Sequence, residues 1–431
     1  MITADCEEPD TVPDMTEAHP DVRRHAGWLP KDHDDLEAWL TGFRQRVEAK
    51  GEQVALHPVV AELADLLDRE PLLRMYAERM IEEVPSTKPY RRRHLHSVDQ
   101  LLRLVSEVLT TAPEFGDQAV TLPLAAILDW TTGTPAGFAF YRDPRVNAML
   151  KKILTAWCDF LSSPESLYVL NDSATGWTSE AARRAVGIEQ FQHDPDDEHW
   201  GFVSWNDFFT RRFTATARPV ADPDDDKVIV SACESTPYGF STDVQRRDRF
   251  WVKSQPYSLV DMLAGDLSVD QFVGGTVYQA FLSATNYHRW HSPVAGTIVR
   301  AFVQPGTYYS EADSEGTDAV EPRNSQSYLA HVATRAVIVI QADDPGIGLM
   351  AFVAVGMLEV SSCLIDENIA GGHRVAKGDE LGCFQFGGST HCLVFRPGAL
   401  ADLTVEALPQ QHRSDPPLVH VRSRIATATT G

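Results

Sequence analysis

Near residue 200 the spacing of apolar residues changes from a helical repeat to alternation, and no single type of regular structure satisfies both halves. Upstream, Val60, Leu63 and Leu67 follow Pro58, and Leu72, Met75, Tyr76 and Met80 follow Pro71, each proline suiting the first turn of a helix. Val98, Leu101, Leu102, Val105 and Leu109 repeat the stripe after Ser97, a good N-cap, and Val146, Met149, Ile153, Leu154, Trp157 and Leu161 follow Asp143-Pro144. These stripes predict the core of a helical bundle. Downstream, 228–230, 276–282, 297–303, 336–341, 349–360 and 392–395 are rich in β-branched and aromatic residues and separated by Gly, Pro, Asp and Asn, which predicts strands. The expected fold class is α+β: a helical N-terminal domain over 27–173, then a β-rich, mainly antiparallel domain over 201–431. Between them, 174–200 turns polar and acidic and reads as an exposed connector, while 1–26 reads as an acidic, flexible N-terminus.

Charge narrows the function classes. With 38 basic against 61 acidic residues the formal net charge is −23, which disfavours nucleic acid and anionic membrane surfaces as partners. Residues 1–20 hold six acidic side chains and no Lys or Arg, unlike a signal peptide. The longest apolar run, Ile347 to Leu358, stops at Glu359, short of spanning length, so no stable membrane insertion is expected. Six cysteines without CxxC spacing fit reduced thiols and a cytoplasmic location.

Gly387-Gly388-Ser389-Thr390, between two apolar runs, has the composition of a tight turn entering a strand. It also fits a nucleophile: glycines allow the close, strained approach that brings a serine Oγ onto a neighbouring carbonyl. A serine needs a base, and His288 and His291, in Asn286-Tyr287-His288-Arg289-Trp290-His291-Ser292-Pro293, supply two imidazoles. Glu234, directly after the 228–230 strand, is a candidate to hold the base's ring. Other readings compete. His288 and His291 at HxxH spacing, with His373 or His391, could hold a metal, although the pattern lacks a matched carboxylate or cysteine. Lys377-Gly378-Asp379 could be the attachment lysine of a carrier module. Trp290 and Tyr287 could line an aromatic pocket or simply pack in a core. Arg211 and Arg212 read by default as an exposed helix end or ion pair, and Cys233, Cys383 and Cys392 as small buried hydrophobes.

From about Gly201 to Pro397 the chain resembles the pyruvoyl-dependent phosphatidylserine decarboxylase superfamily in five ordered segments: 205–213 with Ala217-Arg218-Pro219-Val220; Tyr257-Ser258-Leu259; 287–293; 306–310; and Lys377-Gly378-Asp379-Glu380-Leu381-Gly382 running into Phe386-Gly387-Gly388-Ser389-Thr390. The resemblance implies that Ser389 attacks the Gly388 carbonyl, converting amide to ester. Elimination and hydrolysis then leave a pyruvoyl group on the chain 389–431 and free a chain ending at Gly388. The two chains stay associated, and a homo-oligomer is possible. The pyruvoyl group, in place of pyridoxal phosphate and with no metal, forms a Schiff base with the substrate amine and draws off the electrons left as CO2 departs. His291 is implied as the base for Ser389, His288 as a participant in decarboxylation, and Glu234 as the counterpart of the family's aspartate, where this chain has Cys-Glu-Ser instead of Ala-Asp-Gly.

The helical part, about Gly27 to Ser173, resembles the N-terminal domain of soluble L-tryptophan decarboxylases of this type, through Leu56-His57-Pro58-Val59-Val60 and Glu83-Val84-Pro85. With the acidic charge, this implies a free amino acid substrate, tryptophan or another aromatic one, released as its amine and CO2. The alternative is phosphatidylserine, giving phosphatidylethanolamine; an uncleaved, degenerate binding protein is a third reading.

Overall fold

A computed structural model describes residues 29–30, 33–51, 53–84, 93–116, 120–248, 256–283, 285–311, 325–360, 362–410 and 416–429. The segment expected to be an acidic N-terminus, 1–26, lies outside the described residues. The first half is helical: α1 (His33–Ala49), α2 (Pro58–Arg69), α3 (Pro71–Glu82), α4 (Val98–Val108), α5 (Pro123–Thr132), α6 (Pro135–Phe140) and α7 (Pro144–Leu161). The capping chemistry sets several of these starts. Ser97 Oγ accepts from the Gln100 amide at the head of α4, Asp143 caps α7, and prolines occupy the first turns of α2, α3 and α7. The stripes of α4 and α7 are buried as expected, whereas α3 is rotated: Leu73, Ala77, Met80 and Ile81 face the core, and Leu72 and Met75 face solvent.

Residues 174–200 are not wholly an exposed connector. They carry α8 (Glu180–Val186) and bury Trp177, Ile188, Phe191 and Trp200 in the helical core, while Asp194 to Glu198 stay on the surface. The acidic residues dominate the composition, but the aromatic and aliphatic ones among them decide the packing. A short helix, α9 (Trp205–Phe209), then extends the same core.

The second half forms strands β1 (Val228–Val230), β2 (Thr236–Val244), β3 (Gly275–Leu282), β4 (Arg289–His291), β5 (Gly296–Gln304), β6 (Arg335–Ala342), β7 (Leu349–Leu358), β8 (Ser362–Ile365), β9 (Arg374–Val375), β10 (Glu380–Gln385), β11 (Gly388–Phe395), β12 (Leu400–Leu403) and β13 (Arg424–Ala428). Among the described residues these build a seven-stranded sheet, β2-β3-β11-β7-β6-β5-β9, and two three-stranded sheets, β4-β10-β8 and β1-β13-β12. The named strand pairs are antiparallel, and helices precede the β-rich half, so the fold is α+β. Both faces of the large sheet are covered. Odd-numbered β11 residues such as Leu393 and Phe395 join one apolar cluster, and even-numbered Cys392 and Val394 join another on the opposite face. This is why β7 and β11 read as near-continuous apolar runs rather than alternating ones. Among the described residues no helix is long and apolar enough to cross a membrane.

Candidate active site

Ser389 is the second residue of β11, inside the large sheet rather than in the loop before it, with β3 on one side and β7 on the other. The ladder slips here: Gly388 faces Leu358, whereas Ser389 faces Gly356, so the register breaks at the Gly388–Ser389 bond. Gly387 has φ +130, and a Cβ placed on it would lie 2.2 Å from the Leu358 carbonyl oxygen and 2.8 Å from the Glu359 carbonyl carbon. Only glycine fits so tight an approach of two backbones. Ser389 is 1% exposed, and its hydroxyl has no hydrogen-bond partner among the described residues. A buried hydroxyl without a partner is uncommon and calls for an explanation such as a catalytic role.

His291 ends β4 and is 2% exposed. Its Nδ1 lies 2.9 Å from the Gly378 carbonyl oxygen and its Nε2 2.8 Å from the Tyr287 hydroxyl. The Gly378 carbonyl, an acceptor, and the Arg422 guanidinium, a donor, both face Nδ1, and the Tyr287 hydroxyl, which can donate or accept, faces Nε2. Burial, with the Arg422 guanidinium 3.2 Å from Nδ1, pulls the imidazole down to about 4, so at neutral pH it is an unprotonated base. His288 is stacked on Phe209 with ring centres 4.1 Å apart, its Nδ1 2.9 Å from the Asn286 carbonyl oxygen. Burial and Arg211 push it down to about 3. Phe386, two residues before Gly388, packs among Trp157, Trp205 and Phe209, so one aromatic cluster joins His288 to the approach of β11.

Glu234 is 4% exposed, and its carboxylate is engaged elsewhere than on His291. Arg218 Nη2 donates to it at 2.6 Å, the Val421 amide donates at 2.8 Å, and His420 Nδ1 lies at 2.7 Å. Burial raises its pKa, but His420, Arg218 and Val421 together hold it below the usual value. The acceptor that orients His291 is therefore the Gly378 carbonyl, and Glu234 instead fastens the C-terminal segment to the β-rich half. Among the described residues no hydrogen bond joins His291 to Ser389, because Tyr287 occupies Nε2. Tyr287, Arg422, His420 and Arg218 complete the site; Tyr287 is the only one of these that the motif around His291 could have flagged.

Several competing readings meet specific obstacles. Lys377 is 6% exposed, and its Nζ donates to the carbonyls of Asp222, Asp225 and Val228, so it is not the projecting lysine of a carrier module. Arg211 is buried rather than at an exposed helix end, bonds the Thr285 carbonyl at 2.7 Å, and is pulled down to about 9 by burial. Among the described residues no three His, Cys, Asp or Glu side chains are grouped to hold a metal ion.

Acid should unfold this protein through its histidines. His288, His291, His331 and His391 are buried and His94 is half-buried, and loss of water around the ring lowers each to about 3 or 4. The unfolded chain binds protons near pH 6.5 that the folded one refuses, so stability rises with pH across roughly pH 4 to 6.5 and is lost as pH falls. Each imidazole contributes up to about 1.4 kcal/mol per pH unit in that window. The expected result is a melting temperature that drops steeply between pH 7 and pH 5; one that stays level would contradict the burial of these rings.

The phosphatidylserine decarboxylase family model matches residues 205–413, and a second model of the same description matches 57–186. Decarboxylase iboD of Amanita muscaria (strain Koide BX008) is 40% identical over 311 residues, covering 68% of this chain and 88% of its own. L-tryptophan decarboxylase of Psilocybe cubensis is 31% identical over 410 residues, covering 89% of this chain and 91% of its own. Phosphatidylserine decarboxylase proenzyme 3 of Schizosaccharomyces pombe is 32% identical over 197 residues, covering 46% of this chain and 19% of its own.

Proposed function

The chain belongs to the phosphatidylserine decarboxylase family and is a decarboxylase, and from that premise we propose that it cuts itself between Gly388 and Ser389 and then decarboxylates a free aromatic amino acid, tryptophan foremost. The observation that carries the self-cleavage is the buried, unpartnered Ser389 hydroxyl at a break in the β11–β7 register, beside a glycine that only a bare backbone can fill. Support for the substrate is the match to an L-tryptophan decarboxylase over 89% of this chain and 91% of its own.

In this reading Ser389 Oγ attacks the Gly388 carbonyl carbon and gives up its proton to His291, which burial keeps unprotonated. The site fits a pyruvoyl group at position 389: among the described residues the serine hydroxyl makes no hydrogen bond, so its conversion to a ketone leaves no polar partner stranded. That group supplies a carbonyl electron sink for the pair released as CO2 departs. His288, neutral at rest, relays a proton from water to the carbon that loses its carboxylate. The small chain stays in place because β11 is laddered on both edges and β13 pairs with β1. His420 and Val421 tie it further to Glu234. The net charge of −23 and the free thiols support a cytoplasmic enzyme.

The test is CO2 release from tryptophan, phenylalanine, tyrosine and dispersed phosphatidylserine, measured side by side on the cleaved protein. Tryptophan is expected to turn over at least about tenfold faster than the lipid, a transition-state difference of about 1.4 kcal/mol. Faster turnover of phosphatidylserine would replace the amino acid with the lipid as substrate.

A further inference from the structure

Glu359 follows the apolar run of β7 at 1% exposure, with φ +60, a left-handed conformation that a residue with a Cβ rarely adopts. Its side chain reaches the helical domain. There the N-cap of α5, Leu122, offers no side-chain cap, so the first-turn amides lack intrahelical partners. Glu359 Oε1 accepts from the Ala125 amide, capping α5 from 234 residues away in the chain. Burial lifts the carboxyl well above its usual pKa, against the pull of the Ala125 and Leu124 amides. Its Oε2 has no partner among the described residues. The cap satisfies an amide of α5, but a buried carboxyl with one oxygen unsatisfied among the described residues is a costly way to do it.

The same residue forms a wall of the cleavage segment. Leu358 pairs with Gly388, and the Glu359 carbonyl carbon and Val360 nitrogen lie 2.8 and 2.9 Å from where Gly387 would carry a Cβ. From the other side α7 supplies Trp157, 5.1 Å from Phe386 between ring centres, and Cys158, whose Sγ is 3.7 Å from Gln385 Oε1. The helical domain thus grips 385–388 twice, directly through α7 and by way of Glu359 from α5.

We propose that Glu359 is a positioning residue for the self-cleavage: docked on the α5 amides, it fixes the Leu358–Val360 backbone against Gly387 so that the Gly388 carbonyl is presented to Ser389. The helical domain then acts as a maturation element and not only as a cover. This rests on the self-cleavage proposed above. The step it serves balances within the chain: Ser389 Oγ bonds to the Gly388 carbonyl carbon, the Gly388–Ser389 C–N bond breaks, and the hydroxyl proton ends on the freed nitrogen.

The experiment follows the disappearance of the uncut full-length chain on denaturing gels for the wild type and for Glu359→Leu, Glu359→Gln and Glu359→Asp, with folding checked by circular dichroism. Leu removes the acceptor, Asp falls a methylene short of the α5 amides, and Gln keeps both reach and acceptor. Expected are cleavage at least about tenfold slower in Leu and Asp and a near wild-type rate in Gln. Folded Leu or Asp variants that cut at the wild-type rate overturn the proposal. If Leu does not fold, Gln against Asp decides it: equal rates overturn it and slower cutting by Asp upholds it. A wild type that is never cut removes the self-cleavage itself and this inference with it, whereas a cut wild type with unaffected variants removes this inference alone.

Discussion

Ser389→Ala is expected to yield a single uncut chain of 431 residues with no decarboxylase activity. Removal of Oγ deletes the only atom at this position able to displace the Gly388 amide, so neither the chain break nor the carbonyl cofactor can form, and the loss is complete rather than graded. The fold should survive. The hydroxyl is buried and makes no hydrogen bond among the described residues, so its removal leaves no partner behind there, and stability should stay within about 1 kcal/mol of wild type. The informative outcome is therefore a melting temperature close to that of Ser389-containing protein combined with zero turnover. A Ser389→Ala chain that is cut, or that releases CO2, would contradict the assignment.

Gly387→Ala should have a large effect on folding. The added methyl would sit 2.2 Å from the Leu358 oxygen, 2.8 Å from the Glu359 carbonyl carbon and 2.9 Å from the Val360 nitrogen, all backbone atoms that cannot swing aside, and φ +130 is itself hostile to an L side chain. Steric overlap with the neighbouring strand end and backbone strain combine, and a loss exceeding about 4 kcal/mol is expected. Gly372→Ala is the control: it too has positive φ, +91, but a Cβ there meets nothing within 4 Å, so about 1–2 kcal/mol is expected. Urea denaturation of both variants measures the difference. Equal, small losses would mean that the close approach beside the cleavage site is not built as described.

The helical half was legible because its signals are local. Ser97, Asp143 and the prolines at 58, 71 and 144 mark starts that depend on a few neighbouring residues, and the stripes of α4 and α7 repeat at the helical period. The stripe of α3 misled because Leu72 and Met75 are apolar yet face solvent, and hydrophobicity alone does not say which of two adjacent faces meets the core. Strands buried on both faces, β6, β7 and β11, stood out as apolar runs. By contrast β4, β8 and β9 are two to four residues long and owe their conformation to partners far along the chain.

The site was legible in its motifs and not in its wiring. Ser389, His288, His291 and Glu234 could be singled out from residue type and resemblance, but a carboxylate is taken by whichever donors the fold brings to it. Here these are Arg218, His420 and the Val421 amide, two of them from beyond residue 400. The Gly378 carbonyl that orients His291 is a backbone group, and no side-chain pattern announces it. Glu359 looked like the end of an apolar run because its partner, the uncapped first turn of α5, lies in the other half of the chain.

The proposed chemistry depends on one peptide bond, Gly388–Ser389, being broken by the chain itself. Intact mass spectrometry of the purified wild-type protein tests it most directly. Expected are two chains, 1–388 and 389–431, with the smaller blocked to Edman degradation and carrying a carbonyl that reacts with hydrazine. A single 47.8 kDa chain that still decarboxylates its substrate would contradict it.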